Sequence, residues 1–245
     1  MSEIIRTTDY YKFRQMVGNR SISKRAENIK ESIKRIGWVS NPIIVNQNME
    51  IVDGQARFQA LRELGMPIEY RMIPNLDIDD CRTLNKFNTD WKAIDFLDSF
   101  AAVGNHNYMR LKNLMETFGE HQLRLVLRAA GRSYDKEEFQ EGNMILTDRD
   151  FGLAFRRLST LSKFKPVLKR FGGRALVKYP AIFFIADRND VDTDEMLRVL
   201  RICDPKDIYC DTALHFLESI QKVYNRNKMR KNRIYIAEDY KKERF

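Results

Sequence analysis

The residues best placed to do chemistry lie in one run, Ile51-Val52-Asp53-Gly54-Gln55-Ala56-Arg57-Phe58-Gln59-Ala60-Leu61. A β-branched stretch meets Asp-Gly, and a helical pattern follows. A glycine at the mouth of a helix permits a tight turn and a close ligand approach. The first-turn N–H groups point out of the helix and favour an anion. Arg57, one turn in, can grip a phosphate with two donors. Asp53 can cap the helix, hold a cation such as Mg²⁺, or serve as a catalytic base. A plain capped helix, with Arg57 paired to an acid, would use the same residues, and both readings stay open at this point.

Other candidate chemistry is sparse. His106, His121 and His215 are far apart, and Cys81, Cys203 and Cys210 lack metal-ligand spacing, so no metal site is expected. The thiols suit a reducing compartment, which places the chain in the cytoplasm. Asp77, Asp79 and Asp80 crowd a helix start, where they complement the dipole. The acids from Asp187 to Glu195 lack the glycine and distal glutamate of a calcium loop. Tyr10, Tyr11 and Phe13 could stack on bases or pack at a strand edge.

The elements that must position the turn are legible as patterns. Ile22, Ala26, Ile29, Ile33 and Ile36 form one helical stripe, capped by Ser21 or Ser23 and stopped at Gly37. Pro42 to Asn46 and Met49 to Val52 read as a hairpin about Gln47-Asn48. Gln55 to Leu64 is a helix ending at Gly65, and Pro67 to Ile73 is a strand. From Asp77 onward the pattern is helical: 78–87, 91–103, 107–118, 121–130, 148–161, 164–171, 174–186 with a break or kink at Pro180, 192–202 and 210–227. Lys136 to Leu146 reads as a β-ribbon or loop, and Ile234-Tyr235-Ile236 as a short closing strand.

The 245 residues carry 43 Lys and Arg against 34 Asp and Glu, a formal charge of +9. Gln221 to Phe245 holds nine bases and three acids, Lys228, Arg230 and Lys231 among the bases. Ser162 to Lys178 holds six bases and no acid. Such clusters suit a polyanion, whose phosphates release counterions when neutralised, or simply keep a surface solvated. The pair of helices around Gly119 would place Arg124 and Arg128 on one face, joined by Arg132 if the helix runs past Gly131. That is the layout of a helix-turn-helix entering DNA, or of a plain αα-hairpin with solvated arginines. No apolar run approaches the roughly 20 residues that span a bilayer, and no signal peptide is expected.

Asn19-Arg20, the isoleucine-striped helix, Pro42-Ile43-Ile44-Val45-Asn46 and Ile51 to Arg57 together resemble the N-terminal domain of the ParB/sulfiredoxin superfamily. The likeness is to the ParB-like nuclease-domain proteins of phages and mobile elements, which typically read Asp-Gly-Gln-His-Arg at the turn. Asn85, Asn88, Trp91, Lys92, Asp95, Leu97, Gly104-Asn105 and Tyr108 resemble the segment after that domain. Asp204-Pro205, Asp211-Thr212 and Tyr224 to Lys228 resemble its tail.

The resemblance implies a fold and a function. It implies an α+β chain, with a small ParB-like α/β domain over 1–76 and a larger all-helical, DNA-binding domain over 77–245 containing a helix-turn-helix-like element. It implies that Gly54, Gln55 and Arg57 bind the phosphates of CTP or ATP, with Asn19 and Arg20 beside the same pocket. Ala56 departs from the family's histidine and removes a donor or proton-transfer group. The catalytic cysteine of sulfiredoxin is also missing from this turn. The expected function is DNA binding with a nucleotide-binding domain, in a phage or mobile element, with homodimerisation left open. The alternatives are a metal-dependent nuclease or nucleotide hydrolase with Asp53 catalytic, and an interaction protein with a vestigial pocket.

Overall fold

The computed structural model describes residues 3–19, 25–87 and 91–243. The chain is mixed α/β and mostly helical, with twelve α-helices and one five-stranded sheet among the described residues. It divides into two compact units, one of residues 1–113 and 135–145, the other of 114–134 and 146–245.

The first unit holds the whole sheet. Its strands are β1 (Ile4–Thr7), β2 (Arg14–Gln15), β3 (Ile43–Val45), β4 (Glu50–Asp53) and β5 (Ile68–Met72), in the order β1-β5-β3-β4-β2. The expected hairpin is β3–β4, closed by Met49 N–H on the Asn46 carbonyl at 3.0 Å. Strand β5 lies parallel to β3, and β1 antiparallel to β5. Alternate residues face one core: Ile43 and Val45, then Ile68 and Tyr70. Helices α1 (Arg25–Ile36) and α2 (Gln55–Glu63) add Ile33, Phe58 and Leu61 to that core. Of the expected stripe, Ala26 and Ile33 are buried and Ile36 is exposed. Ser21, Ser23 and Ile22 lie outside the described residues. Phe13 packs against Phe58 and Tyr70, and the Tyr10 hydroxyl donates to the Met66 carbonyl, so packing accounts for both; Tyr11 is exposed.

Four more helices belong wholly or partly to this unit: α3 (Ile78–Phe87), α4 (Ala93–Ala102), the first part of α5 (His106–Thr117), and α7 (Lys136–Gln140). The expected ribbon or loop at 136–146 therefore begins as a helix. Asp135 caps it by accepting from Glu138 N–H at 2.9 Å. Tyr108 ties it down with a hydroxyl bond to the Phe139 carbonyl at 2.7 Å.

The second unit is helical: α6 (Leu123–Ala129), α8 (Asp148–Leu168), α9 (Ala175–Ala186), α10 (Thr193–Ile202), α11 (Ala213–Asn225) and α12 (Ile236–Lys242). The two helices expected at 148–161 and 164–171 are one, because Leu158, Leu161, Phe164 and Leu168 continue a single buried stripe across the proposed gap. Helix α9 runs continuously through Pro180, and its residues Ala181 to Ala186 are all buried. The expected strand at 234–236 is absent among the described residues. The Asn225 side chain instead bonds both the N–H and the carbonyl of Ile234, and α12 starts at Ile236. No helix among the described residues is long and apolar enough to cross a membrane.

Candidate functional site

Strand β4 delivers Asp53 to the turn, and Gly54 makes the corner with φ 96°. A Cβ there would sit 2.7 Å from Ile43 Cγ2 and 2.9 Å from Arg57 Nη2, so both the dihedral and the packing demand glycine. The first intrahelical bond of α2 runs from Phe58 N–H to the Gly54 carbonyl at 2.8 Å. The amides of Gln55, Ala56 and Arg57 precede it, and the N-cap position, being glycine, supplies no side-chain cap.

Arg57 turns back onto Asp53, with Nη2 2.5 Å from Oδ2. The arginine side chain is 21% exposed and the aspartate 41%. The buried Arg57 Nε and Gln55 Nε2 have no hydrogen-bond partner among the described residues. This junction therefore combines an uncapped helix end, an engaged guanidinium and two unsatisfied donors. An anion arriving here would meet donors, but it would compete with Asp53 for Arg57. Asn19 reaches the same strand by donating from Nδ2 to the Ile51 carbonyl at 3.1 Å. Arg20 lies outside the described residues.

The first unit also holds a cavity of about 310 Å³ at the hairpin end of the sheet. Asn46, Gln47, Glu50, Asn75 and Asp77 line it beside Val17, and none of its ten lining residues is a base. Asn46 is its fixed centre: it donates to Glu50 Oε2 at 2.8 Å and to the Leu76 carbonyl at 3.2 Å. Sequence reasoning missed this cavity, because three separate segments build it and none carries a motif.

The basic residues fall into two groups in the second unit. Some are consumed internally. Lys178 is buried and donates to the carbonyls of Leu168, Phe171 and Gly172, finishing α8. Arg170 donates to the Leu200 and Cys203 carbonyls and finishes α10. Lys165 pairs with the buried Glu120 at 2.8 Å. The acid-free stretch 162–178 is thus less of a cationic patch than its composition suggests.

The expected DNA-contacting residues are placed as follows. Arg124 and Arg128 are exposed on α6, a seven-residue helix of which five residues are buried. Arg124 lies over the Tyr134 ring, 5.2 Å from its centroid. Arg132 is exposed but off the helix, which Gly131 ends at φ 73° with Arg132 N–H on the Leu127 carbonyl. The condition for a three-arginine helical face is therefore not met. Lys228 sits 3.5 Å above the Tyr224 ring and near Glu195. Arg230 and Lys231 are exposed in the 3-10 turn that follows.

Among the described residues, no cluster of three His, Cys, Asp or Glu side chains could hold a metal ion. Burial pushes the Cys203 and Cys210 thiols up, away from the reactive thiolate. Comparison of the chain with protein-family models, curated proteins and solved structures returns no match in any of the three.

Proposed function

We propose that the chain is a DNA-binding protein whose second unit supplies the phosphate-binding surface. One observation carries this reading. The first unit has 18 Lys and Arg and 18 Asp and Glu, whereas the second has 25 against 16, so the entire surplus of +9 belongs to the second. A charge surplus confined to one unit fits a polyanion better than it fits general solubility, which needs no such partition. The exposed Arg230 and Lys231, with Arg124, Arg128 and Arg132, are the candidate contacts. The test is fluorescence anisotropy on a labelled duplex. Reversing Arg230 and Lys231 to Glu should lower the slope of log affinity against log salt by about 2. A wild-type affinity that is flat between about 50 and about 200 mM salt would overturn the reading.

The Gly54 turn supports a second element of the same reading, a site for the phosphates of CTP or ATP. Its warrant is the uncapped α2 end with the unpartnered Arg57 Nε. Asp53 acts there as an internal competitor for the guanidinium. Calorimetry with CTP and ATP then separates three roles. If the turn binds phosphate, Arg57→Ala weakens binding and Asp53→Asn tightens it. If Asp53 instead holds Mg²⁺ for hydrolysis, Asp53→Asn weakens binding and abolishes turnover. Silence of both variants leaves an interaction protein with a vestigial pocket.

A further inference from the structure

We propose that the second unit binds single-stranded nucleic acid on a surface centred on Tyr209. This rests on the nucleic-acid reading above and deepens it by naming the kind of strand.

Tyr209 is 63% exposed, yet its backbone is pinned. Its N–H donates to Ser219 Oγ at 3.1 Å, and that hydroxyl donates to the His215 carbonyl at 2.8 Å. The next residue, Cys210, presses on Gly173 so closely that a Cβ there would lie 2.4 Å from the cysteine's own. A rigidly anchored segment thus holds an aromatic ring in water, an arrangement that core packing does not explain.

Bases lie on the elements joined to that segment, with Lys206 three residues before Tyr209 and Lys222 three residues after the Ser219 that holds its N–H. Ser219, Lys222 and Arg226 recur at i, i+3 and i+7 and share one stripe at the end of α11. Arg226 is about half exposed and pairs with Asp207 at 2.7 Å. Arg170, bonded to the Leu200 and Cys203 carbonyls, brings the end of α8 against the end of α10, where Arg201 and Ile202 are exposed. Lys206 is exposed in the intervening turn. The local acids are Asp204, which caps that turn, Asp207, which Arg226 occupies, and the exposed Asp211, 3.9 Å from His215 Nδ1.

A pinned aromatic with bases on the adjoining elements matches the two features of an unpaired strand, an open base face and a phosphate backbone. A duplex offers phosphates but hides its base faces. Ile202, beside Arg201 at the end of α10, is 76% exposed.

The experiment is anisotropy of the full chain with a labelled thymidine oligomer of about 20 nucleotides, beside a duplex of the same length. Tyr209→Ala should weaken single-strand binding about tenfold or more and leave the duplex unaffected. Tyr209→Phe should retain wild-type affinity, since the ring and not the hydroxyl stacks. Arg201→Glu with Lys206→Glu should lower the single-strand salt slope by about 1.4. Unchanged circular dichroism confirms that the variants fold. Wild-type affinity in Tyr209→Ala, or an equal loss on both probes, overturns the proposal. Binding of the duplex alone overturns this surface and spares the nucleic-acid reading; binding of neither probe at low salt overturns both.

Discussion

The two units use their charged residues differently. In the first, cations meet carboxylates: Arg57 with Asp53, Arg82 with Asp79, Lys112 with Asp98. In the second, bases outnumber acids, and several turn to the backbone instead. Lys178 finishes α8 and Arg170 finishes α10, whereas Arg157 pairs with Asp187 and also donates to the Ala129 carbonyl at the end of α6. Helix C-termini carry partial negative charge and unpartnered carbonyls, so they act as a sink for cations lacking acids. The lesson is that a basic run in the sequence mixes two populations. One completes helices; the other remains exposed and is available to a polyanion.

The largest effect expected from this contrast is in salt dependence. If six of the second unit's exposed bases neutralise phosphates, DNA affinity should fall about 10³-fold between roughly 50 and 200 mM salt. Nucleotide binding at Gly54, in a unit without net charge, should change far less over the same range. Parallel salt titrations check both, and equal slopes would erase the distinction between the units.

A second expectation concerns stability. Lys178→Met should destabilise the protein by about 3 kcal/mol in urea unfolding, because three carbonyls lose a buried charged donor. Lys112→Met in the first unit removes only a half-exposed ion pair and should cost less than about 1 kcal/mol. A small loss at Lys178 would mean that its carbonyls find other donors, and that helix ends are not where the surplus cations matter.

Much of this arrangement was legible in the sequence, because periodicity is a local signal. The β3–β4 hairpin, the Asp-Gly corner and most of the helices follow from spacing and punctuation alone. Strands β1 and β2 did not, being four and two residues long and exposed, with no alternation to read. Helix α7 was missed because a five-residue helix has too few turns to show a period. At the candidate site, Arg57 paired to an acid was foreseeable as the bland alternative, but its partner Asp53 lies on β4, ahead of the helix, so helical spacing alone did not name it. The roles of Lys178 and Arg170 were hidden for a different reason. Their acceptors lie on turns and helix ends whose positions only the tertiary fold supplies.

The smallest expected effect concerns two helix starts. Helix α8 has a capping box: Asp150 N–H donates to Thr147 Oγ1 at 3.2 Å, and Thr147 N–H donates to the Asp150 carboxylate at 2.9 Å. Helix α2 has no side-chain cap and no acid in its first turn. Thr147→Ala should therefore cost about 1 kcal/mol. The backbone bond from Thr147, helped by Arg132 and Arg149, holds the Asp150 carboxyl below its ordinary value. Its contribution is fully present above the unfolded aspartate pKa of about 3.9 and is lost as pH falls through the lowered folded value. Asp150→Asn should accordingly destabilise at neutral pH, with the difference from wild type closing in acid. The first turn of α2 carries no acid, and its nearest carboxylate, Asp53, is engaged by Arg57, so added phosphate should stabilise the first unit at neutral pH more than the second unit's α8. Hydrogen exchange of the Gln55 to Phe58 amides, against those of Asp148 to Phe151, reads that difference directly. Equal protection at both helix starts would count against an open anion site at Gly54.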